Sequence, residues 1–143
     1  METNKEIVLK VLKGAFIERD AKVVDRYFVP NYVQHNPVIP NGATAIAGLI
    51  PTLKNLSYEI GMVVAEDDLV MVHGRYVGWG PKPLVAIDIF KVKDGKVVEH
   101  WDVMQEEVPA DYGERQSDVL PGVTFRAGQL RPPSLQCISS GRH

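Results

Sequence analysis

The chain has 143 residues and 45% hydrophobic content, enough for one domain with a packed core. Its 16 basic and 18 acidic residues leave a net charge of −2 with no basic cluster, which excludes the electrostatic footprint of a nucleic-acid binder. A single cysteine, Cys137, excludes an intramolecular disulfide and any multi-cysteine zinc site. No apolar run approaches the ~20 residues that span a bilayer, so no membrane partner is expected. The segment Met1 to Glu6 lacks the pattern of a secretory signal, so a cytoplasmic protein is expected.

Thr3 and Glu6 have capping-box spacing. Ile7, Val8, Val11, Leu12, Ala15 and Phe16 then recur at helical period, which predicts an amphipathic helix over 4–19. Asp20 caps a short second helix from Ala21 to Tyr27, and Pro30 stops it. The polar stretch Asn31-Tyr32-Val33-Gln34-His35-Asn36-Pro37 reads as a short strand or loop. A third helix follows from Thr44 to Lys54, with Pro51 disturbing its second half. From residue 56 the period changes, predicting strands over 57–66, 69–78, 84–93 and 97–106 with turns at Asp67-Asp68, 78–83 and Asp94-Gly95. Helices first and an antiparallel meander after is an α+β pattern, with a curved sheet wrapped around a helical layer. The domain is expected to occupy 1–130, with an irregular tail over 131–143 that carries no chemistry.

The last hairpin holds the chemistry. Residues two apart on a strand share a face, so His100 and Asp102 point together and Trp101 points away. Asp88 lies within Val85-Ala86-Ile87-Asp88-Ile89-Phe90 and shares a face with Ala86 and Phe90. A desolvated carboxylate is an effective base toward a carbon acid near neutral pH. Each residue also has a structural alternative. Asp102 could pair with an arginine, Asp88 with Arg75 of the neighbouring strand, His100 could be a satisfied core histidine, and Asn36 could close the turn ahead of Pro37. His73 alternates with Met71 and Arg75 and belongs on the outer face, as does Trp101, whereas Tyr58, Tyr76 and Trp79 are candidates for the core or the pocket rim. His35, Asp88, His100 and Asp102 form a mixed nitrogen and oxygen set without recognised ligand spacing, and no metal or other cofactor is expected.

The helices, the segment Tyr32 to Pro37, and the run from Asp88 to Gln105 together resemble the SnoaL-like branch of the nuclear-transport-factor-2-like (NTF2-like) superfamily over residues 4–106. The resemblance implies an α+β conical barrel, three helices packed in a curved antiparallel sheet, usually dimeric through the outer sheet face. It also implies that Asp102 occupies the position of the acidic base in polyketide cyclases of this branch. The expected function is proton abstraction next to a carbonyl on a small apolar molecule, as an isomerase, aldol-type cyclase or dehydratase. Catalytic residues would be Asp102, His100 and Asp88, with His35, Asn36, Tyr32 and Phe90 contacting substrate. A non-catalytic ligand-binding or dimerisation module is the alternative. An epoxide hydrolase ranks below both, because Ala86 and His100 hold the positions where that pattern has an arginine two residues before an aspartate.

Overall fold

Thr3 opens the first helix with the capping box that its spacing predicts: Glu6 N–H donates to Thr3 Oγ1 at 3.2 Å, and Thr3 N–H donates to Glu6 Oε2 at 2.7 Å. A computed structural model describes residues 1–108; the expected boundary at 130 and the tail 131–143 lie outside the described residues. Helix α1 spans Asn4–Leu12 and continues as a π-helical segment over Lys13–Glu18, so the expected helix is helical along its length but widened in its second half. Gly14 lies in that widened segment. A Cβ there would fall 2.1 Å from Val23 Cγ1, so helix α2 (Lys22–Tyr27) packs directly on backbone. Arg19 ends the segment at φ 56° and donates to the carbonyls of Leu53 and Leu56 at 2.8 and 2.7 Å, tying it to the chain beyond the third helix.

Strand β1 runs over Phe28–Gln34, three residues earlier than the polar stretch suggests, and includes Pro30. Proline is tolerated because β1 is an edge strand, where a missing N–H breaks no central ladder. Helix α3 spans Ala43–Leu49 and passes into a 3₁₀ turn at Ile50–Thr52, where Pro51 halts the α-helical hydrogen bonding. The four later strands are β2 (Ser57–Glu66), β3 (Leu69–Val77), β4 (Leu84–Lys93) and β5 (Lys96–Glu106). Asp94 and Gly95, at φ 50° and 73°, make the tight turn that joins the last two.

The sheet order is β1-β5-β4-β3-β2. The meander β2 to β5 is antiparallel as expected, but β1 pairs in parallel with β5, so the sheet is mixed rather than wholly antiparallel. Among the described residues it is also open rather than a closed barrel, with β1 and β2 at its edges. The connection from β1 to β5 holds α3 and strands β2 to β4, which gives it the length a parallel pairing requires.

Along β3, β4 and β5 the inward set is Val70, Val72 and Tyr76, then Ala86, Asp88, Phe90 and Val92, then Val97 and His100. These side chains meet Val8, Leu12, Val24 and Ile50 from the helices to form the core. Burying such an aliphatic or aromatic side chain contributes about 1.5–3 kcal/mol. Among the described residues, no helix is long and apolar enough to cross a membrane.

Candidate active site

The inner face of β4 and β5 interrupts this core with polar groups. In the register, Asp88 lies directly opposite Asp102, and Phe90 directly opposite His100. Like charges opposed across a ladder are destabilising, so their placement calls for compensation. Part of it comes from β3, where Tyr76 donates its O–H to Asp88 Oδ2 at 2.9 Å, and part from His100 Nε2, 2.9 Å from Asp88 Oδ1. The expected alternative of an Arg75–Asp88 ion pair does not form. Arg75 projects from the other face and donates to Glu107 through two contacts of 2.8 Å.

Strand β1 and the turn after it bring the rest. The parallel register sets Gln34 beside His100. Gln34 Oε1 accepts the backbone N–H of Asn36 at 3.0 Å and lies 2.8 Å from His100 Nδ1, and Gln34 Nε2 donates to the Tyr32 hydroxyl at 2.8 Å. Because a backbone N–H can only donate, the amide orientation of Gln34 is fixed and His100 Nδ1 must carry a hydrogen. One further proton then lies between His100 Nε2 and Asp88 Oδ1. Asn36 is fixed in the same way: its Oδ1 accepts Val38 N–H at 2.9 Å, which leaves Nδ2 to donate to Asp102 Oδ2 at 2.7 Å. The Tyr32 oxygen accepts from Gln34, while among the described residues its own hydrogen has no acceptor.

Of the expected catalytic residues, Asp88 and His100 are buried and bonded to protein at both of their polar atoms, whereas Asp102 is half-buried with one oxygen bonded by Asn36. Of the expected substrate contacts, Tyr32 and Phe90 line the cavity, and Asn36 reaches it through Asp102. His35 is not brought there. The alternation of β1 sends its ring to the outer side, stacked on Trp101 with centroids 4.9 Å apart and bonded to Glu99 at 2.8 Å. Tyr76 and Trp79 line the cavity, while Tyr58 sits in the core with its hydroxyl buried and, among the described residues, unpartnered. Gln34 is the residue that sequence reasoning missed as the hub of the site. Its signal was its place two residues after Tyr32, on the same face of a strand.

The cavity also includes Phe16, Val24, Ile46 and Met104. The cavity leaves about 40 Å³ to the centres of water-sized groups, within about 540 Å³ of empty space that includes open solvent. Burial, and then the nearby Asp102 and Asp88 carboxylates, push the Tyr32 phenol upward. Burial does the same to Tyr76, with Asp88 adding to it, so both stay protonated donors well above neutral pH. Asp88, His100 and Asp102 each place a ligand-type atom within 4.8 Å of the others. A cation held there would have to displace the His100–Asp88 hydrogen bond.

The fold and its inward polar cluster define the chain as an α+β protein of the NTF2-like kind. A family model for the SnoaL-like domain matches residues 8–100, and the chain belongs to that family. Solved structures agree in fold. One is TsrD from Streptomyces laurentii, at 23% identity and TM-score 0.58, covering 73% of this chain and 92% of that one. Another is a polyketide cyclase-like protein from Bacillus cereus, at 20% identity and TM-score 0.60, covering 70% and 72%. A third is an LEH-like epoxide hydrolase from M. tuberculosis, at 19% identity and TM-score 0.57, covering 71% and 82%. A search of curated proteins returns no match.

Proposed function

We propose that the chain is a cofactor-independent enzyme that removes a proton next to the carbonyl of a small apolar molecule. The observation that carries this reading is Asp102, a half-buried carboxylate on the cavity wall with one oxygen held by Asn36 and the other, among the described residues, without a protein donor. Asp102 takes the α-proton, and the electron pair of the C–H bond passes into an enolate. Tyr32 supports the step because its O–H is turned away from the Gln34 amide and is available to the enolate oxygen. A donor aimed at developing charge in a water-poor site is worth more than the same donor in water. His100 and Asp88 act as positioning groups, since their polar atoms are bonded within the protein. Return of the proton elsewhere gives isomerisation, attack on a second carbonyl gives cyclisation, and loss of a β-hydroxyl gives dehydration. The polyketide cyclase-like neighbour lends this reading support by analogy of fold.

Two rows of side chains on the outer sheet face, apolar but for His73, support a homodimer. Val64, Met71, Ile89 and Trp101 align across β2 to β5, and Met62, His73, Ile87 and Val103 align beside them. Val103 is 70% exposed and Val64 64% in the single chain, an arrangement suited to a self-complementary interface.

The test is hydrogen–deuterium exchange of 2-cyclohexenone, cyclohexanone and cyclopentanone in D₂O, followed by proton NMR. Wild type should exchange α-protons faster than buffer, and Asp102→Asn should lose about 10²–10⁴-fold of that rate. No exchange above buffer across the three ketones sinks the base assignment. It would favour a second reading, a ligand-binding or dimerisation module, which the fully bonded state of His100 already fits.

A further inference from the structure

The charge of the cavity can be counted without knowing where its mobile proton sits. His100 Nδ1 carries a hydrogen because the Gln34 oxygen facing it is fixed by Asn36 N–H. The remaining proton lies between His100 Nε2 and Asp88 Oδ1. If it is on nitrogen the pair is imidazolium and carboxylate, and if it is on oxygen the pair is neutral imidazole and carboxylic acid. Both sum to zero. Tyr32 and Tyr76 are neutral phenols, and their elevated titration keeps them so. Asp102, counted as a carboxylate, is then the one uncompensated charge. Among the described residues lining the cavity there is no lysine or arginine to offset it.

The walls add no positive charge: Phe16, Tyr32, Tyr76, Trp79 and Phe90 line the cavity, and Phe16, Tyr76 and Trp79 pack edge-on or tilted with centroids 5.5 to 6.4 Å apart. An anion brought into this space would meet an unscreened carboxylate in a medium of low dielectric. A protonated amine meets one full negative charge of matching number. With the ammonium at Asp102, the apolar body of the ligand lies against the aromatic and aliphatic side chains that line the cavity.

We propose that the site selects its ligands by charge: it admits neutral carbonyl compounds and protonated apolar amines, seats the ammonium on Asp102, and rejects carboxylates and phosphates. Substrates bearing an acid group near the reacting carbon are thereby excluded, and simple apolar amines act as competitive ligands. The proposal deepens the function proposed above and rests on it in treating Asp102 as ionised.

The experiment compares cyclohexanone, cyclohexylamine and cyclohexanecarboxylate at pH 7, titrated by NMR or calorimetry into the full chain and into Asp102→Asn. Hydrogen bonds to a charged partner correspond to roughly 10- to 100-fold in affinity. The amine should therefore bind wild type at least about ten-fold more tightly than the carboxylate and weaken by about ten-fold or more in the variant. The ketone should bind both proteins within about two-fold, because its contact is with Tyr32. Carboxylate binding as tight as amine binding overturns the proposal, as does amine binding that Asp102→Asn leaves unchanged. A ketone that binds while the amine does not overturns it and leaves the carbonyl reading standing. An amine that binds while the ketone does not supports the charge rule and counts against the carbonyl reading. Failure of all three to bind removes both. If the variant does not fold, the wild-type ratio of amine to carboxylate decides alone.

Discussion

The two faces of the sheet invert the usual rule in opposite directions. On the inner face, where core side chains belong, Asp88 and His100 are buried at 3% and 6% exposure. On the outer face, where polar side chains belong, Met62, Val64, Met71, Ile87 and Val103 are open to solvent. The inner exception is resolved within the chain: Tyr76, Gln34 and Asn36 supply partners for the buried groups and leave one carboxylate oxygen open. The outer exception has no such resolution among the described residues. A polar group in a core can be satisfied by a neighbour, whereas an apolar row in water can be satisfied only by another surface. The contrast separates the candidate site from the face that suits the proposed interface.

The largest effect should come from breaking the inner network. Asp88→Ala leaves His100 Nε2 and the Tyr76 hydroxyl buried without a partner. Removing one member of such a pair costs about 3–5 kcal/mol. Urea unfolding measures this directly, and a loss under about 1 kcal/mol would mean that water already reaches the cluster.

A smaller effect concerns alkaline pH. Tyr32, Tyr58 and Tyr76 titrate above the ordinary phenol range because burial disfavours their ionised forms. The unfolded chain ionises these phenols near pH ~10, so their contribution is fully present below that pH and is lost as pH rises beyond it. Each contributes a fall of up to about 1.4 kcal/mol per pH unit over that window. Unfolding curves at pH 9, 10 and 11 should show the decline, and a flat profile would contradict buried, neutral phenols.

The smallest effect on folding should come from the outer face. Ile87→Glu, at a position 45% exposed, should change the stability of the single chain by no more than about 0.5 kcal/mol. The same change should convert a dimer into a monomer in sedimentation experiments, because a two-fold axis places the new charge in the interface twice. A wild-type chain that sediments as a monomer of 15.9 kDa would remove the interface reading.

Much of this was legible in the sequence because it depended on local chemistry. The Thr3–Glu6 cap, the Asp94-Gly95 turn, and the shared face of His100 and Asp102 all follow from spacing of three residues or fewer. The inward course of Asp88 and the outward course of Trp101 and His73 followed from alternation alone. What escaped was set at long range. The parallel pairing of β1 depends on where the chain returns, and local polarity around Asn31 and Asn36, with Pro30 before it, left strand and loop both open. Once β1 is placed, its alternation turns Tyr32 and Gln34 inward and His35 outward, so one topological fact accounts for both the missed hub and the misplaced histidine. The widening of the first helix at Lys13–Glu18 was likewise invisible, because the apolar spacing there is that of an ordinary helix.

The parallel pairing of β1 with β5 also sets an order of events in folding. The contacts Gln34–His100 and Asn36–Asp102 each span 66 positions of chain. Closing a loop of that length costs about 4 kcal/mol of chain entropy beyond a constant term. The meander from β2 to β5 can zip locally through tight turns, but the polar cluster has no complete partner set until the first third of the chain docks on the last strand. Assembly of the site is therefore a late step in folding, and a chain that has not closed this loop presents Asp102 without Asn36 and His100 without its amide.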